Sequence, residues 1–187
     1  MNLLVSLAAM CFSFCLVLFS WQTGSTADSY LSQVRRFAEA GDSESQYALA
    51  LLYEYGGDAL ERDQRQSIIW FEKAGRAALP AACLVLGIKF ESGNGVHQDY
   101  SKAARWYGCA ARQDWPAAQL FLARLYREGN GVQQSNIMAL AWLGLAAEHG
   151  YPGAEEEYRE LLMTVDSVTV PVLKEKQKWL LQEEKAL

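Results

Sequence analysis

Residues able to do chemistry are scarce in this sequence, and their spacing scatters them. His97 and His149 are its two histidines. One reads as a loop residue and the other as the end of a helix, where a positive charge is favoured, so they form no catalytic pair. The patterns Ser-x-x-Lys, Gly-x-Ser-x-Gly, His-Glu-x-x-His, Cys-x-x-Cys and the Walker phosphate loop are all missing, which leaves no activated nucleophile, phosphate cradle or zinc site legible in the chain. The run Glu155-Glu156-Glu157 could draw a cation, but it also opens a predicted helix, where the macrodipole favours carboxylates, and that structural role is the expectation. The chain reads as a non-enzyme with neither cofactor nor metal. Arg124 and Arg127, three apart on one helix face, could pair with a carboxylate on a partner, and equally with Glu128 or solvent.

The elements that would carry these residues repeat. Trp70, Trp106 and Trp142 stand 36 residues apart, and Pro80, Pro116 and Pro152 keep the same interval. A shared period of this length marks a stacked repeat. Each unit divides in two: CLVLGIKFESGNGV and QLFLARLYREGNGV are first halves, QDYSKAARWYGCAARQDWP and QQSNIMALAWLGLAAEHGYP second halves. Leu86 with Phe90, Leu122 with Tyr126, and Ala103, Trp106, Tyr107 and Ala110 follow the three-and-four spacing of buried helical stripes. Gly93, Gly95, Gly129 and Gly131 mark the turns between halves, and the prolines mark the start of the next helix. Each unit is therefore a helical hairpin. One apolar stripe per helix cannot close a core alone, so the hairpins must cover one another. Small residues at Ala50, Gly87 and Ala123, and at Ala74, Ala110 and Ala146, permit close approach.

The copies are imperfect at the ends. GGDALERD replaces GNGVHQD in the first unit, and its extra residue predicts a looser turn. Residues 28–44, with Tyr30, Val34 and Phe37 at helical spacing, read as an N-terminal capping helix from a degenerate unit. Residues 45–165 hold three full units and a partial fourth. Residues 166–187, with Leu173, Leu180, Leu181 and Leu187, read as a C-terminal capping helix. Cys83 near the start of one helix and Cys109 near the end of its partner are level across a hairpin, so a disulfide is conceivable in an oxidising compartment. Buried or free thiols are the expected state.

All 17 basic and 22 acidic residues lie beyond Ala27. Leu3 to Trp21 is an uncharged apolar run of 19 residues, followed by Ser25-Thr26-Ala27, small where an export signal is cleaved. No Lys or Arg precedes the run, and as a helix it would span roughly 30 Å, so residues 1–27 are a signal peptide or a membrane anchor. Cys11 and Cys15 are apolar filler within it. Both readings put the rest of the chain outside the cytoplasm, periplasmic or anchored to the membrane through residues 3–21. A net charge of -5 and a pI near 5.1 give no electrostatic reason to bind nucleic acid.

At this point the pattern resembles the Sel-1-like repeat, a relative of the tetratricopeptide repeat. The second unit carries the consensus in Leu86, Gly87, Phe90, Gly93, Gly95, Val96, Asp99, Lys102, Ala103, Trp106, Tyr107, Ala110 and Ala111. The third keeps Leu122, Tyr126, Gly129, Gly131, Val132, Ala139, Trp142, Ala146 and Ala147, and the first Leu49, Tyr53, Gly56, Asp63, Trp70, Phe71 and Ala74. The resemblance implies an all-α solenoid, a right-handed superhelix of antiparallel helix pairs, and work as a scaffold for protein partners, often envelope or membrane proteins. By similarity to tetratricopeptide arrays, the first-helix face opposite the buried stripe lines the concave surface. It carries Tyr47, Leu51, Glu54 and Tyr55, then Leu84, Ile88, Glu91 and Ser92, then Leu120, Arg124, Arg127 and Glu128. Tyr47, Glu54, Tyr55, Glu91, Arg124, Arg127 and Glu128 are the candidate partner-binding residues. The rival reading is a cell-wall or β-lactam-binding enzyme, as in the family's cysteine-rich secreted branch. There a Cys matching Cys83 bridges to the preceding helix, where this chain has Ala74-Gly75, and the missing cysteine pairs and nucleophiles count against it.

Overall fold

Two kinds of helix start alternate along the chain, and each follows from a local residue choice. In the computed structural model, which describes residues 27, 29–57, 59–165, 172 and 175, α1 covers 29–39. It is followed by α2 (Ser43–Tyr55), α3 (Gln64–Arg76), α4 (Pro80–Ser92), α5 (Tyr100–Ala111), α6 (Pro116–Glu128), α7 (Asn136–Glu148) and α8 (Ala154–Leu162). No strand occurs among the described residues, so the all-α expectation holds. Helices α4 and α6 open with Pro80 and Pro116 in the first turn, where a missing N–H costs nothing. Helices α5 and α7 open on side-chain caps: Asp99 accepts from the Lys102 N–H and Ser135 from the Met138 N–H. Pro152 departs from the expected pattern. It lies in a turn ahead of Gly153, the residue that caps α8.

The second helix of each hairpin ends on a recurring register. Gly41, Ala78, Asp114 and Gly150 all adopt positive φ, between 52° and 98°, and all sit at equivalent places in the repeat. The same places are bridged by a side chain reaching back eight residues. Gln46 donates to the Ala38 carbonyl and Gln119 to the Ala111 carbonyl, each at 3.1 Å. Cys83 occupies this register in the middle unit, its sulfur 3.5 Å from the Gly75 carbonyl oxygen. At Ala38 the amide adds to the bond from the Gly41 N–H, and at Ala111 it reaches a helix C-terminal carbonyl, one of the groups a helix end leaves unpaired.

The chain divides into two compact units, Met1–Ser67 and Ile68–Leu187. In the first, α1 buries Val34 and Ala38, while Tyr30 and Phe37 are 56% and 43% exposed. Of the three residues at helical spacing only Val34 is covered. The covered side of α1 runs through Leu31, Val34 and Ala38, and the aromatics lie on the flank turned away from it, with the Arg36 guanidinium 5.1 Å from the Phe37 ring centre. The turn expected to be loose is tied. Gly57 and Leu60 exchange backbone hydrogen bonds of 2.8 and 3.3 Å, and the Asp63 N–H donates to the Tyr53 carbonyl.

In the second unit neighbouring helices pack in chain order, α4 on α5, α5 on α6, α6 on α7 and α7 on α8. Trp70 and Trp142 are buried, Trp106 partly so. Helix α7 is buried without a break from Ala139 to Ala146, the composition of a helix covered on all sides. Ala74, Ala110, Ala123 and Ala146 have no exposed surface. At Gly87 the fit is closer still: a Cβ there would lie 2.4 Å from two carbons of the Tyr107 ring. Gly87→Ala is therefore expected to cost about 1–3 kcal/mol through overpacking, read as a lower urea midpoint. Gly108→Ala is the control, because its Cβ would meet only the mobile end of Arg112, at 3.4 Å. It should be neutral or stabilising, as Ala favours helix over Gly by about 1 kcal/mol.

Cys83 and Cys109 are joined in a disulfide, which corrects the expectation of thiols. The level placement across the α4–α5 hairpin brings the Cα atoms to 5.9 Å, within the ordinary range for this bond. The C-terminal capping helix read at 166–187 and the apolar run at 3–21 lie outside the described residues, apart from Val172 and Glu175. Among the described residues no helix is long and apolar enough to cross a membrane.

Candidate functional site

Tyr107 is the residue from which the candidate face is built. The stripe of α5 turns it inward, where it is wholly buried. Its ring fills the space left by Gly87 in α4 and meets Phe121 of α6, with centroids 5.3 Å apart and planes tilted by 40°. Its hydroxyl donates to the Glu91 carboxylate. Burial, and then this carboxylate, push the Tyr107 pKa up, so the phenol remains a donor at any working pH.

From Phe121 the contacts continue to α8. The Arg124 guanidinium lies 5.9 Å from the Phe121 ring centre. Its Nε donates to Glu157 Oε2 at 3.3 Å and its Nη2 to Oε1 at 2.5 Å, the paired geometry that guanidinium and carboxylate planes favour. Arg127 Nη1 adds a bond of 3.1 Å to the same carboxylate, and Arg127 Nη2 lies 3.5 Å from Glu128. Asn130 donates to Glu128 at 2.8 Å. The hydrogen bond from Arg124 holds the Glu157 carboxyl below its usual range, against the opposing effect of burial, and raises the Arg124 pKa in turn. Side-chain exposures of 40% for Arg124 and 18% for Glu157 admit solvent screening, so the pair stabilises by about 1 kcal/mol.

That pair makes α8 acid-sensitive. Because the folded-state pKa of Glu157 is depressed, its contribution is present above the unfolded value, near 4.5, and is lost as the pH falls through the folded value. Glu157→Gln should lower stability by about 1 kcal/mol near neutral pH and change little in acid. Urea unfolding at the two pH values measures the difference, and an equal loss in both would exclude this role for Glu157.

The structure brings Glu91, Arg124, Arg127 and Glu128 into one unit, but the arginines meet a carboxylate of their own chain. Leu120 is only 3% exposed, so it does not line the face; Phe121, one position on, carries the network. Tyr107 and Glu157 were not singled out as site residues from sequence. A signal for Glu157 existed, since one further period from Phe121 reaches it. In the first unit, taken by itself, Tyr55 is 77% exposed. Glu54 accepts from the Ser67 hydroxyl at 2.8 Å, and the half-buried Tyr47 phenol has its pKa raised, first by burial and then by Tyr55 and Glu44. His97 is in an exposed loop and His149 caps the end of α7. Among the described residues no three His, Cys, Asp or Glu side chains gather as metal ligands. Glu155 pairs with Arg159 at 2.7 Å.

Hairpins recurring at a near-constant interval, with close alanine and glycine contacts between their helices, define an α-helical repeat protein. The chain belongs to the Sel1 repeat family, whose model matches residues 43–79, 80–115 and 116–151. Proteins of this kind are generally non-catalytic scaffolds that bind protein partners. Among solved structures, a protective antigen of uropathogenic Escherichia coli displaying an SLR fold is 35% identical over 68% of this chain, with a TM-score of 0.63. The chain spans 27% of that antigen's length. A Sel1 repeat protein from Oxalobacter formigenes is 32% identical, with a TM-score of 0.66, the match covering 70% of this chain and 97% of that one. Helicobacter pylori cysteine rich protein B shares the fold, at 20% identity and a TM-score of 0.52 over 68% of this chain and 93% of its own. No curated protein sequence matches significantly.

Proposed function

We propose that this protein is a non-enzymatic adaptor of the cell envelope, holding a segment of another protein against the first-helix faces of its hairpins. The observation that carries this reading is the continuous network from Glu91 through Tyr107, Phe121 and Arg124 to Glu157, which fixes side chains from four helices, α4, α5, α6 and α8, before any partner arrives. Binding then loses little side-chain freedom. Beside it Ile88 is 43% exposed, an apolar anchor of the kind that carries binding energy when a partner covers it. Glu157 already occupies Arg124 and Arg127, so the partner is read by the apolar anchor and by the lone pairs that Glu91 and Glu128 keep beyond their bonds to Tyr107, Arg127 and Asn130. Tyr47, Glu54 and Tyr55 are the corresponding residues of the first unit. The uncharged leader and the Cys83–Cys109 disulfide support an oxidising, extracytoplasmic setting.

The test is affinity capture from solubilised envelopes with the full chain and with Ile88→Glu, an exposed change that leaves the core intact. A partner retained by the first and weakened about tenfold or more by the second is expected. A partner indifferent to Ile88→Glu, or covalent labelling of the full chain by fluorescent penicillin, would overturn the adaptor reading. Recovery of the chain in the cytosolic fraction would overturn the location. N-terminal sequencing then decides between cleavage after Ala27 and retention of residues 3–21 as an anchor.

A further inference from the structure

The arginines of the second unit fall into two groups. Arg76, Arg124, Arg127 and Arg159 hold carboxylates of the chain itself. The guanidiniums of Arg105 and Arg112, both exposed, make no hydrogen bond or ion pair among the described residues, and both line one groove of ≈ 570 Å³ between α5 and α6. No acidic side chain lines it, although the chain carries an excess of carboxylates. The Arg112 guanidinium folds back over Gly108, 3.4 Å from where a Cβ would stand, so it approaches the stretch of α5 that carries Arg105. With no counter-charge lining the groove, both guanidiniums are available to a carboxylate from outside the chain.

The opposite wall is apolar, formed by Leu122, Tyr126 and Val132. Leu122 and Tyr126 project from α6 on the side away from Arg124, because residues two apart on a helix point in nearly opposite directions. The groove therefore opens away from the face assigned to the adaptor role. One end is rigid. Ser101 donates to the Gly131 carbonyl at 3.0 Å, and Gly131 sits so close to the Tyr100 backbone that a Cβ would come within 2.2 Å of it.

We infer that this groove is a second docking site, taking an extended acidic peptide segment of a protein partner. Its carboxylates meet the guanidiniums of Arg105 and Arg112, whose flat forks suit them, and its apolar side chains meet the part-exposed Tyr126 and Val132. An extended peptide alternates its side chains between two faces, which matches a cationic wall set against an apolar one. A free anion would leave the apolar wall unused. With a site on either side of α6, the chain can hold two partners at once.

The probe is a dye-labelled octapeptide of alternating glutamate and leucine, with fluorescence anisotropy read on the full chain in detergent. Binding is expected to weaken with added salt, and to fall about tenfold or more in Arg105→Gln/Arg112→Gln or when glutamine replaces glutamate in the peptide. The Arg105→Lys/Arg112→Lys variant, which keeps the charge and loses the forks, should fall between. Unchanged thermal melting at these exposed positions ties the loss to the groove. Absence of binding, equal affinity in the glutamine variant, equal affinity for the glutamine peptide, or full displacement by inorganic phosphate at concentrations that leave other salts without effect would each overturn the proposal, the last by showing a site for a bare anion.

Discussion

Trp142→Ala is expected to destabilise the protein by about 3–5 kcal/mol, the range for emptying a buried aromatic site. For a chain of this length that lowers the melting temperature by roughly 10 °C. The size follows from position. Trp142 is 3% exposed, and α7 is apolar on every side from Ala139 to Ala146, so its neighbours cannot collapse into the cavity without losing contacts of their own. Trp106→Ala, at the same place in the preceding unit but only partly buried, should cost about half as much. Trp142→Phe should cost less than Trp142→Ala for a second reason: the buried indole N–H has no hydrogen-bond partner among the described residues, so its removal leaves nothing unsatisfied. Thermal melts of the three variants measure this. A Trp106→Ala loss as large as that of Trp142→Ala would contradict the packing described for α7.

Removing the Cys83–Cys109 bond is expected to cost about 3 kcal/mol, chiefly by releasing the unfolded chain from a closed loop. The bond joins residues 26 apart. Cys109→Ala tests this well, because Cys109 is only partly buried and its replacement leaves a small cavity. Cys83→Ala should lose more, since Cys83 is fully buried on α4. Reduction of the wild type should move its melting point to near that of Cys109→Ala, while the variant itself ignores reductant. Identical melts for wild type and Cys109→Ala, both oxidised, would remove the bond from the stability of the fold.

How much of this was legible in the sequence depended on whether the deciding contact repeats. The hairpins were legible because Trp, Gly and Pro recur in step, each for a packing or turn reason that the next copy shares. Gly87 was legible as a close-approach point for the same cause. Features belonging to a single unit were not. Glu157 falls in an acidic run that a helix N-terminus explains sufficiently, and its three hydrogen-bonding contacts to Arg124 and one to Arg127 depend on how α8 lies along α6. Tyr30 and Phe37 are at helical spacing, but spacing alone does not say which flank of α1 is covered. Leu120 and Phe121 are adjacent apolar residues, and only packing decides which is buried. Cys83 and Cys109 could be placed level with each other, yet spacing did not distinguish bonded from free sulfur. The glutamines at 46 and 119 repeat in register and were legible in principle, as were the positive-φ positions 41, 78, 114 and 150.

The disulfide lies within one hairpin and joins no two hairpins together. Under tension the helices outside it can be drawn out to full extension, whereas the loop between Cys83 and Cys109 cannot. With the bonded positions 26 residues apart, about 90 Å of extensible length stays hidden at roughly 3.5 Å per residue. A chain pulled at its two ends would therefore lengthen everywhere except in its middle repeat, and only a reductant would release that slack.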